Sequence, residues 1–233
     1  MRAFDNFLSS GEYSNFHFRQ SFSSFLSFAG SETRQSHLKQ TQLGVKILAL
    51  EFSSRETLNQ IKNSGTWWET FHDAINKNIS KARKMVKGKE AIVIGLIGFD
   101  NEHGSTTGAR VELHPVWGLA IHTDDAAKDP KLAEDVWVIL ARNWGNEGSC
   151  SNGWDITHSA WLHDLSLHEN KMKFFLPTSV GSSGTLVKNF HTNYGDGMTK
   201  GTATPVEGGI LLTIQLPEPE DKKLFWGELH IRK

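Results

Sequence analysis

Short apolar runs divided by Gly, Pro, Asn and Asp clusters predict a mostly β chain. Residues 91–98 (AIVIGLIG), 210–216 (ILLTIQL) and 224–231 (LFWGELHI) have strand length and are rich in branched and aromatic side chains. Twenty-one glycines among 233 residues suit many turns. Sustained helical periodicity occurs once, over residues 66–87, and no long helix is expected in the second half. The expected architecture has three parts. Residues 1–40 form an N-terminal arm, residues 41–125 a small barrel or curled sheet with one prominent α-helix, and residues 126–233 an antiparallel β-sandwich-like domain.

In the arm, phenylalanines recur among polar residues. Phe18, Phe22 and Phe25 have helical spacing, which predicts a partial helix packed on the body. Residues 45–52 (VKILALEF) read as a buried strand. In residues 66–87 the apolar stripe is Trp68, Phe71, Ile75, Ile79, Ala82 and Val86. Thr66 and Glu69 have capping-box spacing, and Gly88 suits the position after the helix. Its other face carries Lys77, Lys81 and Lys84, with Arg83, Lys87 and Lys89 beside them. This is either a solvated face or a surface for a phosphate-bearing ligand or nucleic acid.

Gly95 and Gly98 predict a bend in the strand over residues 91–98. A turn at 104–108 (GSTTG) follows, then alternation over 109–114 and a further strand over 116–122. Pro115 cannot donate to a ladder, so pairing should break or bulge there. Residues 122–135 are polar and acidic and read as a connection. Residues 135–144 (DVWVILARNW), a loop-like region, and strands at 172–176, 210–216 and 224–231 complete the chain.

A net charge of −1 gives no global attraction to nucleic acid or membrane. The lone Cys150 excludes an intrachain disulfide and any cysteine-built zinc site. No run reaches the roughly 18 apolar residues of a membrane helix. The first ten residues, MRAFDNFLSS, lack the basic and apolar blocks of a signal peptide.

The stretch FDNEHGSTTGARVELHPV holds the densest chemistry. Asp100, Glu102 and His103 precede the turn; Glu112 and His114 follow it. Alternation puts Glu112 and His114 on one face of a strand, and Asp100 and Glu102 also share parity. Carboxylate oxygens and neutral imidazoles suit a hard or borderline divalent cation. Asp100, Glu102, Glu112 and His114 are the candidate metal ligands, and His103 and Glu112 the candidate acid–base residues. The same residues can instead form a polar network that fixes the hairpin. The spacing matches neither HExxH nor an EF-hand, and the chain has no Walker lysine or G-x-S-x-G elbow.

This hairpin resembles the FD-x-EH … E-[IL]-HP-[IV] hairpin of uncharacterised bacterial proteins with an OB-fold-like, nuclease-like core. The later ARNWGNEGSCS and GELHIRK segments look like an extra β domain of some relatives. The resemblance implies an OB-like first part and export, and supplies no activity. Here Arg110 and Val111 stand where an aromatic more often precedes the glutamate.

Two functions follow as expectations. One is a divalent-metal-dependent hydrolase of phosphodiesterase or nuclease type, using the 100–115 hairpin, with metal-activated water as its engine. The other is a non-enzymatic module for oligonucleotide or carbohydrate, with Trp117, Trp144, Trp154 and Trp161 as stacking candidates; a partner-binding domain is a third, blander form. His158, His163, His168, Asp155 and Asp164 rank lower. So do His191 and His230, the latter alternating with Glu228 on a face expected to point outward.

Overall fold

A computed structural model describes residues 4–7, 15–20, 48–53, 58, 60–61, 64–99, 111–124, 134–143, 171–180, 183–217 and 223–233. Residues 4–7, 15–20, 48–53, 96–99 and 111–115 are described by backbone pairing alone. The strands are β1 (Phe4–Phe7), β2 (Asn15–Gln20), β3 (Leu48–Ser53), β4 (Glu90–Phe99), β5 (Val111–Asp124), β6 (Glu134–Arg142), β7 (Lys171–Pro177), β8 (Thr185–Thr192), β9 (Gly201–Val206), β10 (Gly209–Gln215) and β11 (Leu224–Arg232). The helices are α1 (Trp67–Lys77), α2 (Ile79–Val86) and a single turn, α3 (Gly197–Lys200). The protein is mostly β, as expected.

Among the described residues the strands form two sheets. The larger runs β1-β2-β3-β5-β6-β11-β8, with β4 on the other edge of β5; the smaller runs β7-β10-β9. The core is layered. One face of the β5–β6–β11 region packs on the helices through Leu119, Ile121, Val138, Leu140, Leu224 and Trp226, against Trp68, Phe71, Ala82 and Val86. The opposite face packs on the smaller sheet through Ala120, Trp137, Ile139, Phe225, Leu229 and Ile231, against Phe174, Leu176, Ile210 and Leu212. Both faces of β6 are therefore buried, which explains its nearly continuous apolar sequence. Each fully buried Leu, Ile or Phe contributes about 1.5–3 kcal/mol of transfer free energy.

The expected boundary at 125/126 falls between β5 and β6, which pair antiparallel from Gly118↔Ala141 to Asp124↔Val136. The two expected parts thus share one sheet and both apolar clusters. Among the described residues no pairing closes the first part into a barrel, and β4 is paired only to β5.

The helical stripe over residues 66–87 is real, but it belongs to two helices broken at Asn78, whose backbone leaves the helical region (φ −157°, ψ 88°). The Asn78 side chain accepts a hydrogen bond from the Lys81 backbone N–H at 3.1 Å and starts α2. An asparagine able to cap does so where continuing the helix would leave it neutral or unfavourable. The apolar phase survives the break, so Trp68, Phe71, Ala82 and Val86 still share one core. Gly88, at φ 77°, takes the left-handed position after α2.

The expected capping box does not form. Thr66 makes no side-chain cap to α1, and its hydroxyl pairs with Ser64 at 2.7 Å. Glu69 reaches back to the Gly65 N–H at 2.8 Å. The Trp67 N–H at the start of the helix is taken by the carboxylate of Glu228 on β11. A tertiary contact stands where a local one was expected.

The arm also differs. Phe18 lies in β2, paired to Asn6 of β1 and Leu50 of β3, and not in a helix. The local sequence NFHFRQ has a period of two, which outweighs the looser three-to-four spacing of the phenylalanines. Phe22 and Phe25 lie outside the described residues. Strands β8 and β9 had no sequence expectation. β9 contains Pro205, which an edge strand tolerates. A Tyr194 hydroxyl bond to the Gln215 carbonyl at 2.8 Å ties the end of β8 to β10; burial pushes that phenol well above its ordinary pKa.

Candidate functional site

The hairpin that carries the densest chemistry is built as expected at the backbone. β4 and β5 pair antiparallel from Glu90↔His122 to Gly98↔Glu112 and Phe99↔Val111. The register shifts at Gly95, where Gly95 faces Val116 and Ile97 faces Leu113. His114 and Pro115 together therefore oppose one residue of β4. That is a bulge at the proline, for the reason given by its missing N–H. On the other edge of β5, Ala49 and Leu50 of β3 pair in parallel with Glu112 and Leu113. Glu112 thus lies in an interior strand, flanked by β3 and β4.

Asp100, Glu102 and His103 lie outside the described residues, as do the side chains of Glu112 and His114. Among the described residues no group of three or more His, Cys, Asp or Glu is placed to hold a metal. Cys150, Asp155, His158, His163, Asp164 and His168 also fall outside the described residues.

One residue beside the hairpin had no signal beyond being an arginine at the end of an apolar strand. Arg142 of β6 is fully buried, and its Nε–H donates to the Val116 carbonyl at 2.7 Å. On that edge of β5, β3 ends its pairing at Leu113 and β6 begins at Gly118. The guanidinium fills the gap, bracing the chain two residues after His114. Gly118 has no room for a side chain: a Cβ there would lie 2.8 Å from Phe174 Cζ.

The basic helix face lies toward the other end. α2 leads through Gly88 into Glu90, which pairs with His122, whereas the hairpin loop follows Phe99. Ten strand residues span about 30 Å. Lys77 is exposed and bound to Asp73 at 2.7 Å, and the ammonium lowers that carboxyl's pKa. Lys81 and Lys84 are exposed, and Lys89 donates to the Thr123 carbonyl.

At the Glu90 end, two imidazole–carboxylate networks sit on opposite faces of the sheet. On the small-sheet face, His122 stacks on Trp137 with centroids 4.5 Å apart and planes 3° apart. Its Nε2 lies 3.2 Å from Asp135 Oδ1, and its Nδ1 lies 3.9 Å from Glu90 Oε2. Asp135 is 1% exposed and also accepts from the Thr178 hydroxyl and the Ser179 N–H. A nucleophile–base–orienter triad needs the hydroxyl on the imidazole. Here Thr178 binds the carboxylate, so the network joins the end of β7 to the central sheet and is built for support.

On the helix-side face, Glu134, Glu228, His230 and Arg232 meet. His230 Nδ1 lies 3.0 Å from Glu134 and its Nε2 3.2 Å from Glu228. Arg232 pairs with the other oxygen of Glu134. The hydrogen bond from His230 lowers the Glu134 carboxyl's pKa against the cost of burial, with help from Arg232. Nearby on β8, His191 Nε2 lies 2.9 Å from Asn189 Oδ1, and its ring stacks on buried Trp226 at 5.8 Å. The alternation Glu228–His230 was visible in the sequence; their partner Glu134 was not, because only the β6–β11 register brings it there.

Comparison of the chain with protein-family models, with curated proteins and with solved structures finds no match.

Proposed function

We propose that the protein is a divalent-metal-dependent hydrolase of phosphodiesterase or nuclease type, acting through the 100–115 hairpin. The observation that carries this reading is the β4–β5 register. It pairs the two arms of the hairpin, Gly98 with Glu112 and Phe99 with Val111, which supports a reading in which residues from both arms act together. The donor set of three carboxylates and an imidazole fits a hard or borderline cation. Asp100, Glu102, Glu112 and His114 would hold it, and His103 and Glu112 would move protons. When bound, such an ion supplies a water nucleophile at neutral pH. The His114–Pro115 bulge and the bond from buried Arg142 to the Val116 carbonyl support the reading by bracing the backbone of the strand that contains Glu112 and His114. Lys77, Lys81 and Lys84 would attract a phosphate-bearing ligand at longer range, from the other end of β4.

The alternative of an aromatic stacking platform draws less support. Trp68, Trp137 and Trp226 are buried, and Trp67 and Trp117 are half-buried. Trp144, Trp154 and Trp161 lie outside the described residues.

Thermal unfolding with Mg²⁺, Mn²⁺ or Zn²⁺, each against a chelator, tests the proposal. A ligand at 100 times its Kd stabilises by about 2.7 kcal/mol. Wild type should gain stability and hydrolyse bis(p-nitrophenyl) phosphate, while Glu112→Gln should lose both. No metal-dependent shift and no chelator effect would sink the reading.

A further inference from the structure

We propose that Glu134, His230 and Glu228 form a proton-operated latch that holds the start of α1 against the sheet and loosens it when the imidazole gives up one proton. The two ring nitrogens face two different carboxylates, at 3.0 and 3.2 Å. A neutral imidazole has one N–H and one lone pair. It can donate to only one of them, and the other nitrogen then faces a carboxylate oxygen lone pair to lone pair. The arrangement is complete only with both nitrogens protonated.

The two carboxylates are not equally dependent on that proton. Glu134 keeps Arg232 whatever the charge of the ring. Glu228 has no other cationic partner among the described residues, and its second oxygen accepts the Trp67 N–H. Glu228 is therefore the arm that moves. Its helix depends on it, because Thr66 supplies no side-chain cap. A carboxylate at a helix N-terminus also meets the positive end of the macrodipole.

The groups placed around the ring fit this assignment. β6 contributes Glu134, and β11 contributes Glu228 and Arg232. β8 places Val187 opposite His230 and Asn189 opposite Glu228, with His191 bonded to Asn189. α1 contributes the Trp67 N–H, and its first-turn Glu69 is already bonded to Gly65. The lowered titration of Glu134 lets the latch persist into mild acid. The latch is closed while both ring nitrogens carry protons and opens as rising pH removes one of them.

The test is amide hydrogen exchange on the full chain from pH 5.5 to 8.5, corrected for intrinsic rates. Protection of the Trp67–Thr70 amides, relative to those of β10, should fall about fivefold as pH rises, the scale of one lost cap. His230→Gln should abolish that step. Nitrogen shifts of the wild-type His230 ring, which need no variant, should show two N–H groups at pH 5.5 and one at pH 8.5. Relative protection that stays constant with pH, or a ring with a single N–H throughout, would overturn the latch.

Discussion

Glu134 and Asp135 are consecutive residues on opposite faces of one strand, and each grips a histidine. Asp135 and His122 are buried between two sheets, with Thr178, Ser179 and Trp137 completing the contacts. Glu134 and His230 are 32% and 23% exposed, beside Arg232 and the start of a helix. The same pair of functional groups thus occurs twice under different dielectric conditions. In the buried case, removing one partner strands several polar groups in a medium that cannot replace them. In the exposed case water can replace each contact at small cost. The first network is suited to fixing structure, the second to responding.

Four measurements break or sharpen that contrast. The largest effect is expected for Asp135→Ala, which leaves His122, Thr178 and Ser179 without their shared acceptor. Urea unfolding should show a loss of about 3 kcal/mol or more. A loss under about 0.5 kcal/mol would mean that the buried network is dispensable. Next is Glu228→Gln, which keeps an acceptor for Trp67 but removes the charge. It should cost about 1 kcal/mol at pH 6, the scale of a helix cap. A cost equal to that of Asp135→Ala would erase the distinction between the faces.

The third concerns Glu134→Gln. Because the folded pKa of Glu134 is depressed, its contribution is present above the ordinary value of 4.5 and is lost as pH falls through the lower folded value. The difference between wild type and Glu134→Gln should therefore be constant from pH 5 to 6 and shrink as the pH falls further into acid. With a third of the side chain exposed, it should stay below about 1 kcal/mol. A difference that grows in acid would reverse the assigned sign. The smallest effect is expected for Lys81→Ala combined with Lys84→Ala. Both side chains are exposed, so the melting temperature should be unchanged. A change of several degrees would show that the basic face supports the fold.

Local periodicity made part of this architecture readable. β4, β6, β7, β10 and β11 are apolar or alternating because they line one or both buried faces. Pro115 announced the bulge, since a missing N–H has the same consequence in any sheet. β8 and β9 were hidden, because edge strands are half wet and their sequences, TLVKNFHT and GTATPV, carry little apolar pattern. The break at Asn78 was hidden for the opposite reason: the stripe continues across it in phase. The polar connection after residue 124 joins two strands that pair with each other, because such a segment marks a gap between strands as readily as one between domains. Within the sites, the pairing of the hairpin arms followed from turn and alternation. The partners of His122 and His230 depend on registers between distant segments, and Thr178 is 43 residues from Asp135. Spacing along a chain carries no trace of such contacts.

β11 lies between β6 and β8, and its 224–232 stretch meets residues 134–142 on one side and 185–192 on the other. The β4–β5 hairpin closes a short loop, while β11 must return across all of β7 to β10. Until it does, β6 and β8 each present an unsatisfied edge, and β6 is apolar on both faces. Open edges of that kind pair readily with other chains. Slow entry of β11 therefore makes aggregation, and not loss of secondary structure, the expected failure of a partly folded molecule.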